Sequence, residues 1–148
     1  MRLSFIACSD IWRSSASRLP RVSSASRSHH DFGPWNLVWS QGLPIGIIDF
    51  DEAAPGARAE DPGYALWKRL NLGLVELDPA EQRRRLCLMA AAYGALADME
   101  LLDAIAVAQR RMERKIQEAP SGERRLDALA QNWREQEWLR GNAELLAS

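Results

Sequence analysis

Apolar positions are spread unevenly along the chain. Through residue 28 they follow no sustained period of 2 or 3.6. The run from Leu3 to Cys8 is broken by Ser4 and is too short for a secretory core. Order begins at residue 35. Trp35 to Trp39 is aromatic and branched, the composition of a short strand. Ile45 to Phe50 is an apolar run suited to a buried strand. Ser40-Gln41-Gly42-Leu43-Pro44 between them is turn chemistry, so a β-hairpin is expected. After the loop Ala54 to Ala57 the spacing becomes helical. Asp61-Pro62 reads as an N-cap with Pro at the first helical position. That helix would carry Tyr64, Leu66, Trp67 and Leu70 and end near Asn71 or Gly73. Asp78-Pro79-Ala80-Glu81 opens a second helix, with Glu81 spaced as in a capping box, running to about Leu96. A third spans about Asp98 to Ala119 and stops at Pro120-Ser121-Gly122; a fourth spans about Glu123 to Leu139. The pattern is α+β and mostly helical: a loop, a hairpin, then about four helices.

Composition narrows this picture. The chain has 148 residues, 47% apolar and 26% charged, which suits a globular body with a core. A net charge of -1 argues against a broad electrostatic hold on nucleic acid or an anionic membrane. No stretch approaches the roughly 18 apolar residues of a membrane helix. Two cysteines are too few for a disulfide framework or a Cys-based zinc site. The near-neutral total conceals a split. Residues 1–28 hold nine serines and five arginines against one acid, Asp10, for a charge of +4, which leaves -5 on residues 29–148. Such Arg- and Ser-rich, acid-poor composition is shared by transit peptides, disordered arms and non-native sequence ahead of a domain. The expected organisation is a disordered or non-native segment over 1–28 and the domain proper over 29–148.

Candidate chemistry lies in His29-His30-Asp31-Phe32-Gly33-Pro34-Trp35-Asn36 and in Ile47-Ile48-Asp49-Phe50-Asp51. Asn36 opens the first expected strand and Asp49 closes the second. With Gln41 and Pro44 flanking the turn, Asn36 and Asp49 would lie about opposite each other. An amide oxygen and a carboxylate would then converge at one end of the hairpin. Both are hard ligands of the kind Mg²⁺ takes, together with phosphates and waters. Asp31, on the loop just before, could orient a hydroxyl and take its proton. This is the wiring of a kinase catalytic loop: Asp, then Asn five residues later, then a metal-binding Asp at the end of the next hairpin.

At this point the chain resembles a known family. His29 to Trp67 is similar to the C-terminal lobe of the aminoglycoside phosphotransferases, which share the protein-kinase-like fold. That family carries a His-x-Asp-x-x-x-x-Asn loop, often with Gly-Pro-Trp-Asn inside it, as at Gly33 to Asn36. An Ile-Asp-Phe/Trp segment follows, matched by Ile48-Asp49-Phe50. Then come a Pro-Gly loop, matched by Pro55-Gly56, and an Asp with a Tyr-Ala-Leu-Trp helix, matched by Asp61 to Trp67. The resemblance implies Asp31 as catalytic base, Asn36 as a Mg²⁺ ligand and Asp49 as the main Mg²⁺ ligand, with ATP as phosphoryl donor. It implies that His29 braces the loop. His30 departs from the family, which has Gly or another small residue there. Asp51 either contacts substrate or simply ends the strand.

Other groups have plainer readings. Helix capping accounts for Asp61. Trp35, Trp39 and Trp67 read as core rather than as a platform for bases. Arg83-Arg84-Arg85, and Arg110-Arg111 with Arg114-Lys115, read as solvated helix faces. Glu118, Glu123 and Asp127 could meet a cationic sugar or be ordinary surface charge. Nothing in residues 1–28 reads as the N-terminal lobe that clamps ATP, and the two lysines, Lys68 and Lys115, follow the catalytic loop. The expectation is therefore a cytoplasmic, ATP- and Mg²⁺-dependent phosphotransferase of small-molecule hydroxyls such as aminoglycosides, represented by its C-lobe alone. Two alternatives stay open: a truncated inactive remnant, and a module that binds a small molecule or completes a partner carrying the other lobe. In either case the bare face toward that lobe would favour a partner or self-association.

Overall fold

The computed structural model describes residues 27–72, 78–94 and 98–147. Strand β1 (Arg27–Ser28) pairs antiparallel with β4 (Ala54–Pro55), and β2 (Leu37–Ser40) with β3 (Leu43–Ile47). Four helices follow: α1 (Glu60–Leu70), α2 (Pro79–Tyr93), α3 (Asp98–Glu118) and α4 (Glu123–Ala147). The described residues are thus α+β and mostly helical, as the apolar pattern indicated. Strand β1 draws Arg27 and Ser28 into the body, ahead of the boundary read from composition. The rest of the Ser/Arg-rich segment lies outside the described residues, as do Gly73 and Leu96.

Helix ends follow local chemistry. Helix α1 stops at Asn71, which takes the left-handed conformation that helix C-termini favour. Helix α2 has Pro79 in its first turn and Asp78 as cap, whose carboxylate accepts from Ala80 N at 3.2 Å. Glu81 does not close the expected capping box. It turns outward to Arg84 at 2.6 Å and Arg85 at 2.9 Å. Gly94, with φ 65°, ends α2 short of Leu96 and donates its N–H to Ala90 O. Helix α4 runs past Leu139, because Leu139 and Leu146 share one buried stripe. That stripe outweighs the roughly 1 kcal/mol cost of Gly141 inside the helix.

Helix α1 is the centre of the core. Its Leu66 and Leu70 pack with Leu86 of α2, Leu101 and Ile105 of α3, and Leu139 and Leu146 of α4. The crossing of α1 on α3 requires glycine at 63, since a Cβ there would stand 2.5 Å from the Ala104 Cβ. Trp67 is buried as expected, with its indole N–H on Glu135 Oε2 at 2.6 Å. Trp35 and Trp39 are not core: they are 53% and 48% exposed.

The hairpin departs most from expectation. Its turn is the two-residue Gln41-Gly42, both with positive φ, the form whose twist matches the flanking strands. Ser40 therefore faces Leu43, and the ladder is interrupted between Val38 and Trp39, where Ile45 is the extra residue on the facing strand, next to Pro44, which has no N–H to give. The expected buried strand is exposed: Ile45, Ile48 and Phe50 are 66%, 50% and 57% accessible. Strands β2 and β3 pack chiefly on each other.

Candidate active site

Residues 29–36 form a loop closed by a single 3-10 turn, Pro34–Asn36. Asp31 is its hub. Tyr64 of α1 donates its hydroxyl to Asp31 Oδ1 at 2.5 Å. Asn36 donates Nδ2–H to Asp31 Oδ2 at 3.0 Å and to the Asp31 carbonyl at 2.9 Å. The Trp35 indole N–H points at Oδ2 from 3.4 Å. The carboxylate is therefore fixed in orientation from both sides. Asn36 is buried, and spending its N–H groups on Asp31 leaves Oδ1 as the atom that could take a cation. Tyr64 responds to the same geometry. Burial, then the hydrogen bond to Asp31 and its charge, push the phenol well above its usual range.

Asp61 has a different role from the one read in the sequence. Helix α1 starts two residues earlier, with Ala59 at the cap position and no side-chain cap. Asp61 instead accepts the backbone N–H of His29 at 2.8 Å and of His30 at 2.9 Å. Two amides that the loop cannot pair for itself are thereby satisfied. Hydrogen bonds to an ionised acceptor contribute about 1.5–3 kcal/mol each. The spacing of Asp61 and Tyr64, three residues apart, turns both toward the loop.

His29 is buried and acts as a strut. Its Nε2–H donates to Ile48 O at 2.9 Å, while Nδ1 accepts Asp31 N–H at 3.3 Å. The bond to Ile48 ties the loop to the segment carrying Asp49. Phe50 stacks obliquely on the same imidazole, with centroids 4.8 Å apart. Ile48 N donates to Asn36 O at 3.0 Å, so Asn36 faces Ile48 and not Asp49. The turn at Gln41-Gly42 moves the pairing two residues from the expected register, and the interruption restores one of them. Asp49 is exposed and has φ 64°, a conformation uncommon outside glycine. His30 has the same φ of 64°, which explains why a glycine suits that position. It is held there by contacts from Nδ1 to Glu52 O at 3.2 Å and from Nε2 to Glu60 Oε2 at 2.8 Å. Gly56 must stay small beneath it, since a Cβ would stand 2.7 Å from His30 Nε2. Asp51 is exposed in the following turn.

Asn36 and Asp49 offer one amide oxygen and one carboxylate, a donor set that suits Mg²⁺ completed by phosphates and waters. Among the described residues no cluster of three or more His, Cys, Asp or Glu could hold a metal. A cavity of about 480 Å³ opens behind the loop, between His29, Phe32, Ile47, Phe50, Met89 and Tyr93. None of Asp31, Asn36 or Asp49 lines it, so the carboxylate hub faces away from it.

A loop built as His-x-Asp-x-x-x-x-Asn and tied to an Ile-Asp-Phe segment agrees with what comparison with known proteins finds. The model of the phosphotransferase enzyme family matches residues 5–98. The chain belongs to that family. Its match takes in the loop, the hairpin, α1 and α2. Over 54 residues the chain is also 43% identical to the trifolitoxin immunity protein of Rhizobium leguminosarum bv. trifolii, covering 36% of this chain and 20% of the relative. The chain thus spans about a fifth of that relative's length. No solved structure matches it.

The sequence reading had named His29, Asp31, Asn36, Asp49 and Asp51 but missed Tyr64 and the clamping role of Asp61. The signal available was their shared helix face, which reads equally well as a helix start. Arg111 and Lys115, read as solvated, reach Glu60 at 3.6 Å and Glu52 at 2.7 Å. They tether α3 to the segments around the loop.

Proposed function

We propose that the chain carries the catalytic half of an ATP- and Mg²⁺-dependent phosphotransferase, built as the C-lobe of a kinase-like fold and acting on a small-molecule hydroxyl. The observation that carries this is the fixed carboxylate of Asp31, oriented by Tyr64 and Asn36. Asp31 accepts the acceptor's hydroxyl proton as that oxygen bonds to the γ-phosphorus. The bond from the γ-phosphorus to the bridging oxygen breaks, and ADP leaves. Asn36 Oδ1 and the Asp49 carboxylate are the ligands for Mg²⁺, which when bound neutralises charge on the phosphates. His29 keeps the two segments in register, and Asp51, exposed in the next turn, is the candidate contact for the acceptor. Because such catalysis is mostly positioning and electrostatics, the clamped loop is the part this chain supplies.

The exposed apolar hairpin supports a second element of the reading. We assign it as the face that receives a nucleotide-clamping lobe. A reaction using ATP and Mg²⁺ belongs in the cytoplasm, and no helix among the described residues is long and apolar enough to cross a membrane. The name of the trifolitoxin immunity protein favours a second reading, a module that holds a small molecule or partner and protects by binding.

The test is Mg²⁺-dependent release of the ATP γ-phosphate by the purified chain, with a panel of hydroxyl compounds as acceptors. Asp31→Ala should lower the rate by about 10²–10⁴-fold, the usual worth of a general base, in a chain that still melts cooperatively at a lower midpoint. No Mg²⁺-dependent release from a chain whose cooperative melt is also unaffected by Mg-ATP would reject the phosphotransferase reading in favour of the binding module.

A further inference from the structure

The candidate site holds a cation that the catalytic reading leaves unused. Lys68 lies one helical turn after Tyr64 on α1 and is half-buried. Its ammonium stands 3.4 Å from the centroid of the Trp67 ring and 5.6 Å from that of Tyr64. Tyr64 is the residue bonded to Asp31. Trp35, Tyr64 and Trp67 form an edge-to-face series, with centroids 6.5 Å and 5.6 Å apart. Lys68 thus shares an aromatic wall with the carboxylate hub, and Trp35 forms the wall's exposed end.

The charge balance around Lys68 is incomplete. Among the described residues it makes no hydrogen bond and no ion pair, only its two ring contacts. The nearby carboxylates are engaged elsewhere. Glu135 is buried and accepts from the Trp67 indole at 2.6 Å and from Gln131 at 3.2 Å. Asp31 is taken by Tyr64 and Asn36. Burial lowers the Lys68 pKa, while Glu135 and Asp31 at longer range oppose that. Cation–π contacts hold the ammonium in place but leave its N–H donors unspent. A partly desolvated cation with free donors beside a reacting centre suits an oxyanion.

We propose, resting on the phosphotransferase reading above, that Lys68 selects the acceptor: a small hydroxyl compound bearing a phosphate or carboxylate. Asp31 meets the hydroxyl, Lys68 meets the oxyanion, and Trp35 covers the carbon skeleton between them. A cationic sugar would bring like charge to Lys68. The α3–α4 turn does not provide an acidic alternative. Glu118, Glu123 and Asp127 are all exposed there, and the charged lining of the adjoining cavity is Lys115, Arg124 and Arg125.

The probe is inorganic phosphate, titrated into the full chain by isothermal calorimetry with and without saturating Mg-ATP. Lys68→Met keeps the stem against Trp67 and removes the charge. Lys115→Met removes the other lysine, away from the wall. The expected result is phosphate binding that weakens at least tenfold in Lys68→Met, is unchanged in Lys115→Met, and persists with Mg-ATP bound. Equal binding by Lys68→Met and the parent chain, or no binding, would overturn the proposal. Displacement of phosphate by Mg-ATP would also overturn it, by assigning Lys68 to the donor. A melt of each variant establishes that it is folded. Loss of turnover in Asp31→Ala beside phosphate binding indifferent to Lys68 would sink this inference and leave the phosphotransferase reading standing.

Discussion

Residues 28–36 and 37–50 are consecutive in the chain and held in opposite ways. The first stretch is clamped from α1 by Asp61 and Tyr64, braced internally by His29 and Asn36, and anchored through β1. The second, the hairpin and the segment after it, pairs with itself and leaves Leu43, Ile45, Ile47, Ile48 and Phe50 open to solvent. Polar residues organise the buried stretch, while apolar residues cover the exposed one. That inversion separates two roles in the proposed phosphotransferase. The loop is held in shape by the helical body alone. The proposal makes the hairpin the surface against which a second lobe is laid, because isolated proteins rarely expose contiguous apolar patches of this kind.

The contrast breaks most easily at Asp61. Asp61→Ala leaves the His29 and His30 amides without acceptors in a partly buried setting. A loss of about 3–5 kcal/mol is expected, read as the shift in urea midpoint at constant slope. A change below about 1 kcal/mol would mean the loop holds its shape without the clamp.

Tyr64→Phe sharpens the comparison at one atom. It removes the donor to Asp31 Oδ1 while keeping the ring against Trp67, at a cost of about 1.5–3 kcal/mol in stability. The pH dependence follows from the direction of the Tyr64 shift. Burial, first, and Asp31, second, raise the folded pKa above the unfolded value near 10. The neutral phenol's contribution is therefore complete below about pH 10 and is lost as pH rises further. The parent chain should lose stability more steeply than Tyr64→Phe above pH 10, measured by denaturant melts across that range. Parallel curves would contradict the assigned bond.

The hairpin should behave in the reverse way. Leu43→Ser with Ile45→Ser should change stability by no more than about 0.5 kcal/mol, as exposed substitutions do. The same pair should lower binding of a hydrophobic dye, as expected of the open apolar face. A large drop in the melt would show that the hairpin is packed in solution.

How much of this was legible in the sequence depended on range. Capping and turn chemistry are local, so Asp78, Pro79, Asn71 and Gly42 marked elements within a few residues. The loop's own partners, Asp31 and Asn36, are five apart and were readable as a motif. The clamp from Asp61 spans 32 and 31 residues, and the bond from Tyr64 spans 33. Neither contact has a local signature distinct from a helix start. The hairpin was misjudged for another reason. An apolar run signals that a surface wants cover, not that the chain supplies it, so Ile45 to Phe50 read as core. The pairing of Asn36 with Ile48 rested on a turn at Gln41-Gly42 and an extra residue, Ile45, in the ladder, neither of which residue counting reveals.

The central proposal is that Asn36 and Asp49, the latter next to the Ile48 that pairs with Asn36, hold the metal–nucleotide. It is tested most directly by substituting Mn²⁺ for Mg²⁺ in an ATP complex and reading paramagnetic broadening by NMR. The expected result is strong broadening of the Asn36 side-chain amide and of the Ile48 and Asp49 backbone amides, absent in Asp49→Ala, with Leu139 and Leu146 of α4 left sharp. Broadening that bypasses Asn36 and Asp49, or that survives Asp49→Ala unchanged, would contradict the account.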